Sequence, residues 1–90
     1  MPPMKFSDEF SSRDDRYSLG TEVESGRRYI SFPVSTGVVD YEEFYELSTE
    51  RFERFRADPT AAIAFVEQSR RREHDELLIL KPGWNRGTPV

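Results

Sequence analysis

Three runs of alternating apolar and polar residues, separated by short glycine turns, place the tightest limit on how this chain can fold. The runs span 17–23, 28–35 and 38–47, and the dipeptides Ser25-Gly26 and Thr36-Gly37 lie between them. A period of two sends alternate side chains to opposite faces of a β-strand. Glycine supplies the positive φ that tight turns need. The pattern therefore predicts a three-stranded antiparallel meander.

Two positions leave the details of strand pairing open. Pro33 has no N–H to donate to a sheet, so it should lie at an edge, at a bulge, or beside the end of a shorter neighbouring strand. Farther along, strict alternation puts Glu43 on the same face as Tyr41. A bulge at Glu42-Glu43 would bring Phe44 inward instead. The sequence is compatible with both registers.

Two helices are predicted after the third run, with Asp58-Pro59 as the break between them. Ser48 is a good N-cap for the first helix, whose apolar stripe contains Phe52 and Phe55. Asp58 then caps a second helix that has Pro59 in its first turn and runs to about Arg72. The residues expected to be mostly buried between sheet and helices are Phe32, Phe52, Phe55, Ile63 and Val66.

The predicted fold class is α+β: a three-stranded antiparallel meander followed by two helices packed on one face and a short fourth strand. The fourth strand is expected at Leu77–Leu80, since four apolar residues are too few for a helix. Residues 1–16 are rich in serine, proline and charge, which predicts a flexible N-terminal arm. A single α+β domain should then span residues 17–81, with a C-terminal tail at 82–90.

The residue inventory excludes several kinds of functional site. The chain has 90 residues, no cysteine and a single histidine, His74. Thiolate zinc sites and cysteine nucleophiles are thereby ruled out, and no second imidazole is present to complete a histidine metal site. None of the glycines has the spacing of a phosphate-binding loop. We therefore expect no metal, no cofactor and no enzymatic activity.

Charge and hydropathy indicate the surroundings in which the chain works. Its formal net charge is −4, which argues against a general nucleic-acid binder. Arg70–Arg72 fall at the predicted C-terminal end of a helix, where they oppose the helix dipole. The sequence contains neither an apolar run of membrane-spanning length nor an apolar stretch of signal-peptide type. The expected location is the cytoplasm, with no membrane or nucleic-acid partner.

Acidic residues interleaved with aromatics give the strongest functional signal. Positions 40–50 hold five acidic residues and no basic one. On a strand, alternate acidic side chains would share the face opposite the helices. There the carboxylates would attract a basic protein surface, while aromatic side chains would be buried in the interface. The predicted partner-binding residues are Asp40, Tyr41, Glu42, Phe44, Tyr45 and Glu46.

The segments Tyr29–Val34 and Asp40–Leu47 resemble small uncharacterised bacterial proteins, some of the kind encoded beside secreted toxins as their immunity partners. The resemblance extends over about residues 26–80 and contains no catalytic motif. It implies a cytoplasmic, non-enzymatic binding module whose acidic face occupies the basic cleft of a toxin.

Two other classes of function fit the same residues. A homodimer, structural or regulatory, would use strand edges and the arm that carries Phe6 and Phe10. A small ligand-binding or enzymatic domain would need a pocket, for which the candidate residues are Tyr17, Tyr29, Tyr41 and Tyr45.

Overall fold

Four antiparallel strands precede two helices in the computed structural model of the chain, which describes residues 5–35, 37, 40–80 and 88–89. The strands lie in the order β1-β2-β3-β4, and a two-residue strand, β5, pairs with the end of β3. The elements are β1 (Phe6–Ser12), β2 (Tyr17–Glu22), β3 (Arg28–Ser35), β4 (Asp40–Leu47), α1 (Thr49–Ala57), α2 (Pro59–Arg70), a 3₁₀ turn (Asp75–Leu77) and β5 (Thr88–Pro89).

The α+β class is confirmed, but the prediction of three strands before the helices is wrong. The segment expected to be a flexible arm contains β1, which pairs with β2 from Phe6↔Glu22 to Ser12↔Tyr17. A register shift between Asp8 and Phe10 marks a β-bulge in this strand. Five of its seven residues are exposed, so β1 shows little of the alternation by which sequence analysis recognises a strand.

The helices cover one face of the sheet, which we call the covered face. The core lies between this face and the two helices. The fully buried members of β3 on this face are Ile30, Phe32 and Val34. Four of the five predicted core residues are buried, and Ile63 packs against them half-buried. The other buried apolar residues of this core are Tyr17, Leu19, Tyr45, Leu47, Ala62, Phe65 and Leu78.

Both predicted helix caps are confirmed. The side chain of Ser48 accepts a hydrogen bond of 3.1 Å from the N–H of Arg51. The side chain of Asp58 likewise accepts one of 3.1 Å from the N–H of Thr60, with Pro59 as the first residue of α2. The interruption therefore divides two helices, since proline fits the first turn and its missing N–H needs no partner there.

The two open questions about strand pairing are resolved. β2 pairs with β3 only as far as Ser31, so Pro33 lies beyond the end of a shorter neighbour, one of the expected placements. β3 and β4 pair without a register shift, and Glu43 points to the covered face. It accepts a hydrogen bond of 3.0 Å from the hydroxyl of Tyr45, which offsets part of the cost of burying a carboxylate.

The prediction of a strand at Leu77–Leu80 is wrong. Asp75–Leu77 is a 3₁₀ turn, and Leu78 makes only an isolated antiparallel bridge to Tyr45. The N–H of Ile79 donates to the carbonyl of Phe44 at 2.9 Å. Leu78 is buried, so the apolar run does contribute to the core as expected. Val38 and Val39 of the predicted third run, and residues 82–87 and 90 of the predicted tail, lie outside the described residues.

Candidate functional site

Across the sheet from the helices lies a second face, which we call the open face. No helix in the described part of the chain packs on it. Because alternate residues of a strand point to opposite faces, the strand register identifies which residues of each strand lie on the open face. The members are Phe6, Asp8 and Ser11 of β1, Ser18, Gly20 and Glu22 of β2, Tyr29, Ser31, Pro33 and Ser35 of β3, and Asp40, Glu42, Phe44 and Glu46 of β4.

Three aromatic rings occupy the middle of the open face. The rings of Phe6 and Phe44 stack with centroids 3.7 Å apart and planes 13° apart. The ring of Tyr29 meets both of them edge-on, at 5.4 and 5.1 Å. These contacts join the edge strand β1 to β4, although two strands lie between them. The cluster therefore connects the first strand of the sheet to the fourth by side-chain contacts.

Tyr29 can reach β1 because the intervening strand has a glycine at Gly20. A Cβ there would collide with the backbone oxygen of Ser7 and with the Tyr29 hydroxyl. The hydroxyl donates a short hydrogen bond to Oδ1 of Asp8. Burial, followed by this hydrogen bond and the charge of Asp8, raises the pKa of Tyr29 far above its ordinary value. Tyr29 is therefore a neutral hydrogen-bond donor at any physiological pH.

Carboxylates surround the aromatic cluster. Asp8, Asp40, Glu42 and Glu46 are all exposed residues. Glu42 accepts a hydrogen bond of 3.3 Å from Ser31. Although Glu42 is exposed as a residue, partial dehydration of its carboxyl group raises the pKa, and the charge of Asp8 adds to this effect. The charge of Asp8 therefore opposes ionisation of Glu42, and a nearby cation would relieve that cost.

Only one basic side chain approaches these acids among the described residues. Nε of Arg27 lies 3.9 Å from Oε1 of Glu46, and both side chains are about half exposed. Exposed pairs of this kind contribute little to stability, about 0–1 kcal/mol. The face therefore retains most of its negative charge.

Glu22 lies at the end of β2 but has a structural role. It is 1% exposed, and its carboxylate accepts hydrogen bonds from the N–H groups of Lys5, Glu24 and Ser25 at 2.8–3.0 Å. Hydrogen bonds from Ser25 and Glu24, opposed by burial, lower the pKa of Glu22 to about 2. Its ionised form thus stabilises the turn at neutral pH. That contribution is lost as the pH falls from about 4.5 towards 2.

The predicted partner-binding residues divide between the two faces. Asp40, Glu42, Phe44 and Glu46 share the open face, as alternation requires. Tyr45 is fully buried on the covered face, stacked against Phe32, because the strand keeps strict alternation instead of bulging. Tyr41 packs half-buried against the same core. Neither tyrosine stands beside the exposed carboxylates.

Sequence reasoning missed the contribution of β1 to this face. Phe6 and Asp8 complete the aromatic cluster and the acidic surface, but they come from the segment expected to be an arm. Their spacing of two residues is the only local signal of a shared strand face. Long-range contacts with Tyr29 and Phe44 place them there, and a single sequence carries no record of those contacts.

The remaining candidate sites have structural explanations. A pocket among the four tyrosines is not formed, because Tyr29 lies on the open face whereas Tyr17 and Tyr45 lie in the core of the covered face. His74 stacks on Phe65 at 4.4 Å, and its Nε2 lies 2.8 Å from Oε1 of Gln68. In the described part of the chain, no group of three or more histidine, aspartate or glutamate side chains is placed to hold a metal ion.

Comparison with known protein families, with curated proteins and with solved structures gave no match. Within the described residues, neither helix combines the length and the apolar character needed to cross a membrane.

Proposed function

We propose that this chain is a non-catalytic protein-binding module of the toxin-immunity type, and that its open face binds the basic surface of a partner protein. The observation that carries the proposal is the grouping of four exposed carboxylates around an aromatic cluster on the one sheet face that the helices leave uncovered.

Electrostatics supports a basic partner. The charge of Asp8 raises the cost of ionising Glu42, while Arg27 is the only described base that forms an ion pair with the carboxylates of this face. A cationic side chain from a partner would remove that repulsion. Complementary charges of this kind chiefly accelerate association and select the partner.

Aromatic anchors support a protein partner. Phe6 and Phe44 are half-buried, so part of each ring remains accessible next to the carboxylates. Binding energy at protein interfaces is concentrated in such aromatic residues surrounded by polar ones. Three cavities lined by described residues lie at the helices and at the β1–β2 turn. The open face instead presents exposed carboxylates around half-buried rings, which suits a broad contact with a protein.

The edge of β1 favours this proposal over a dimer formed by pairing strand edges. A bulge interrupts β1 between Asp8 and Phe10, and Asp8 and Glu9 are adjacent acidic residues there. Bulges and charges are the usual means by which proteins prevent edge-to-edge pairing. Two copies of β1 would also bring like charges together.

The first step is to produce the product of each neighbouring gene in cells with and without this chain, and to identify a product whose toxicity the chain relieves. The purified toxin domain of that product is then immobilised, and association with the chain is followed by surface plasmon resonance over a salt series. The double charge reversal E42K/E46K should lower the association rate about tenfold or more. Growth of cells that produce the toxin domain should be protected by the unchanged chain and not by this variant.

The matched control is E53K/E73K, which changes the total charge equally at exposed positions of α1 and of the segment after α2. It should bind and protect almost like the unchanged chain. Circular dichroism verifies that each variant is folded. An association rate that changes neither with salt nor with E42K/E46K would exclude the open face as the binding surface. Absence of any protection would contradict the immunity-type function.

A further inference from the structure

A groove along the two helices lies on the opposite side of the molecule from the open face. Two arginines line its rim, Ser48 and Glu50 lie at one end, and apolar side chains form part of its floor. Two adjoining depressions of about 300 and 250 Å³ share Arg51, Arg54 and Phe55. Ala61, Ala64 and Phe65 extend the floor, and Gln68 and His74 close one end. We call this the helix groove.

The two arginines of the helix groove lack the ion pairs that most other described arginines of the fold form. Arg28 and Arg56 lie 3.1 and 3.7 Å from Glu9, and Arg70 lies 3.1 Å from Glu67. Within the described residues, Arg51 and Arg54 form no ion pair, although both are exposed. The guanidinium of Arg51 lies 5.3 Å from the centre of the Phe65 ring, which holds it over the groove.

The carboxylates of the open face are opposite in charge to these arginines, and the two sets of residues have similar spacing. Residues three apart on a helix have Cβ atoms about 5–6 Å apart. Residues two apart on a strand are separated by about 7 Å. Arg51 and Arg54 can therefore meet the carboxylates of Asp40 and Glu42, while the neighbouring Phe44 faces the apolar floor of the groove.

We infer that the helix groove of one copy of this chain binds the acidic open face of a second copy. The groove and the open face lie on opposite sides of the sheet, so they cannot meet within one molecule. The contact is heterologous: each copy offers one surface and leaves the other free, and the copies add head to tail. A basic partner bound to the open face would compete with this contact, so self-association would keep the face occupied until the partner arrives.

The test is sedimentation velocity of the full chain over a range of concentrations, in about 0.02 M and in about 1 M salt, where the Debye length falls to about 3 Å. The unchanged chain should form oligomers at low salt and dissociate at high salt. R51Q/R54Q and D40N/E42Q should each remain monomeric. A mixture of the two should form a 1:1 dimer and nothing larger, because only one intact groove and one intact acidic face remain to pair.

The control R13Q/R71Q removes two exposed arginines outside the groove and should associate like the unchanged chain. Circular dichroism shows whether each variant is folded. A chain that stays monomeric at low salt overturns the inference, as does an oligomer that survives either double substitution or a mixture that stays monomeric. Because the measurement uses the chain alone, its failure is distinct from a failure to bind the toxin domain.

Discussion

On the covered face, β3 presents Ile30, Phe32 and Val34. On the open face, the same strand presents Tyr29 and Ser31, and all five residues are completely buried. The covered side is sealed by a layer of helices, whereas Tyr29 on the open side is enclosed by side chains that include Phe6, Phe44 and Asp8. A sheet can thus bury its centre on both sides with a single helical layer, provided that large side chains from the outer strands fold over the inner ones.

The two faces also differ in the property that substitutions are expected to change. The covered face has an apolar core with many close contacts, which is the usual main source of folding free energy. The open face has a smaller aromatic cluster, and the charge of Asp8 opposes the ionisation of Glu42 there. Substitutions on the covered face should therefore affect folding strongly, and under the proposed function substitutions on the open face should affect binding more strongly.

The largest expected effect is on the covered face. Phe32→Ala removes a fully buried ring that stacks on Tyr45 at 5.4 Å, and it leaves a cavity between sheet and helices. The free energy of unfolding should fall by about 3–5 kcal/mol. Urea unfolding measures it. A loss under about 1 kcal/mol would show that the helices do not seal this face tightly.

On the open face, Gly20→Ala should cost about 1–3 kcal/mol through overpacking. The new Cβ meets the backbone of Ser7, so β1 has to move away from β2. Hydrogen exchange of the β1 and β2 amides should increase more than exchange in β3 and β4. Ser18→Ala, on the same strand and face, is the comparison variant. It loses the 3.0 Å hydroxyl contact with Ser11 and should leave β1 in place.

The contribution of a helix cap to stability is tested at Asp58, where α1 ends and α2 begins. Asp58→Ala removes the side chain that caps α2 and should lower the free energy of unfolding by about 1 kcal/mol. Asp58→Asn keeps an oxygen acceptor at the same place and should remain close to the unchanged chain. Equal losses in the two variants would mean that charge, and not the hydrogen bond to Thr60, stabilises this helix start.

The smallest expected effect comes from a carboxylate of the open face. Because the pKa of Glu42 is raised on folding, its ionisation destabilises the folded state. Glu42→Gln should therefore be slightly more stable than the unchanged chain at pH 7, by about 0.5 kcal/mol or less, since solvent screens the charge. The advantage should vanish as the pH falls below about 4.5, the ordinary pKa. Thermal unfolding at both pH values measures it, and an advantage at pH 7 that persists below pH 4 would contradict ionisation of Glu42 as its cause.

Local features of the sequence were sufficient for β2, β3 and the two helices. Arg28–Ser35 was predicted with the observed boundaries, because its alternation is regular and a glycine turn precedes it. Ser48 and Asp58 marked the helix starts, since capping depends only on residues within one turn. Alternation also placed Asp40 and Glu42 on one face, whereas Glu46 shared that face only in the register without a bulge.

The strand β1 and the complete open face depended on tertiary contacts. Phe6 and Asp8 form part of the face because Phe44 and Tyr29, which are more than twenty positions away, supply the stacking partner and the hydrogen-bond donor. The register at Glu43 was likewise undecided until the Tyr45 hydroxyl was placed beside its carboxylate. The sequence by itself determined periodicity, caps and the sign of the charge, because these act over a few residues. Only the tertiary structure decided which exposed segment becomes an edge strand and which aromatics accompany the acids, because those outcomes depend on side chains that meet across the sheet.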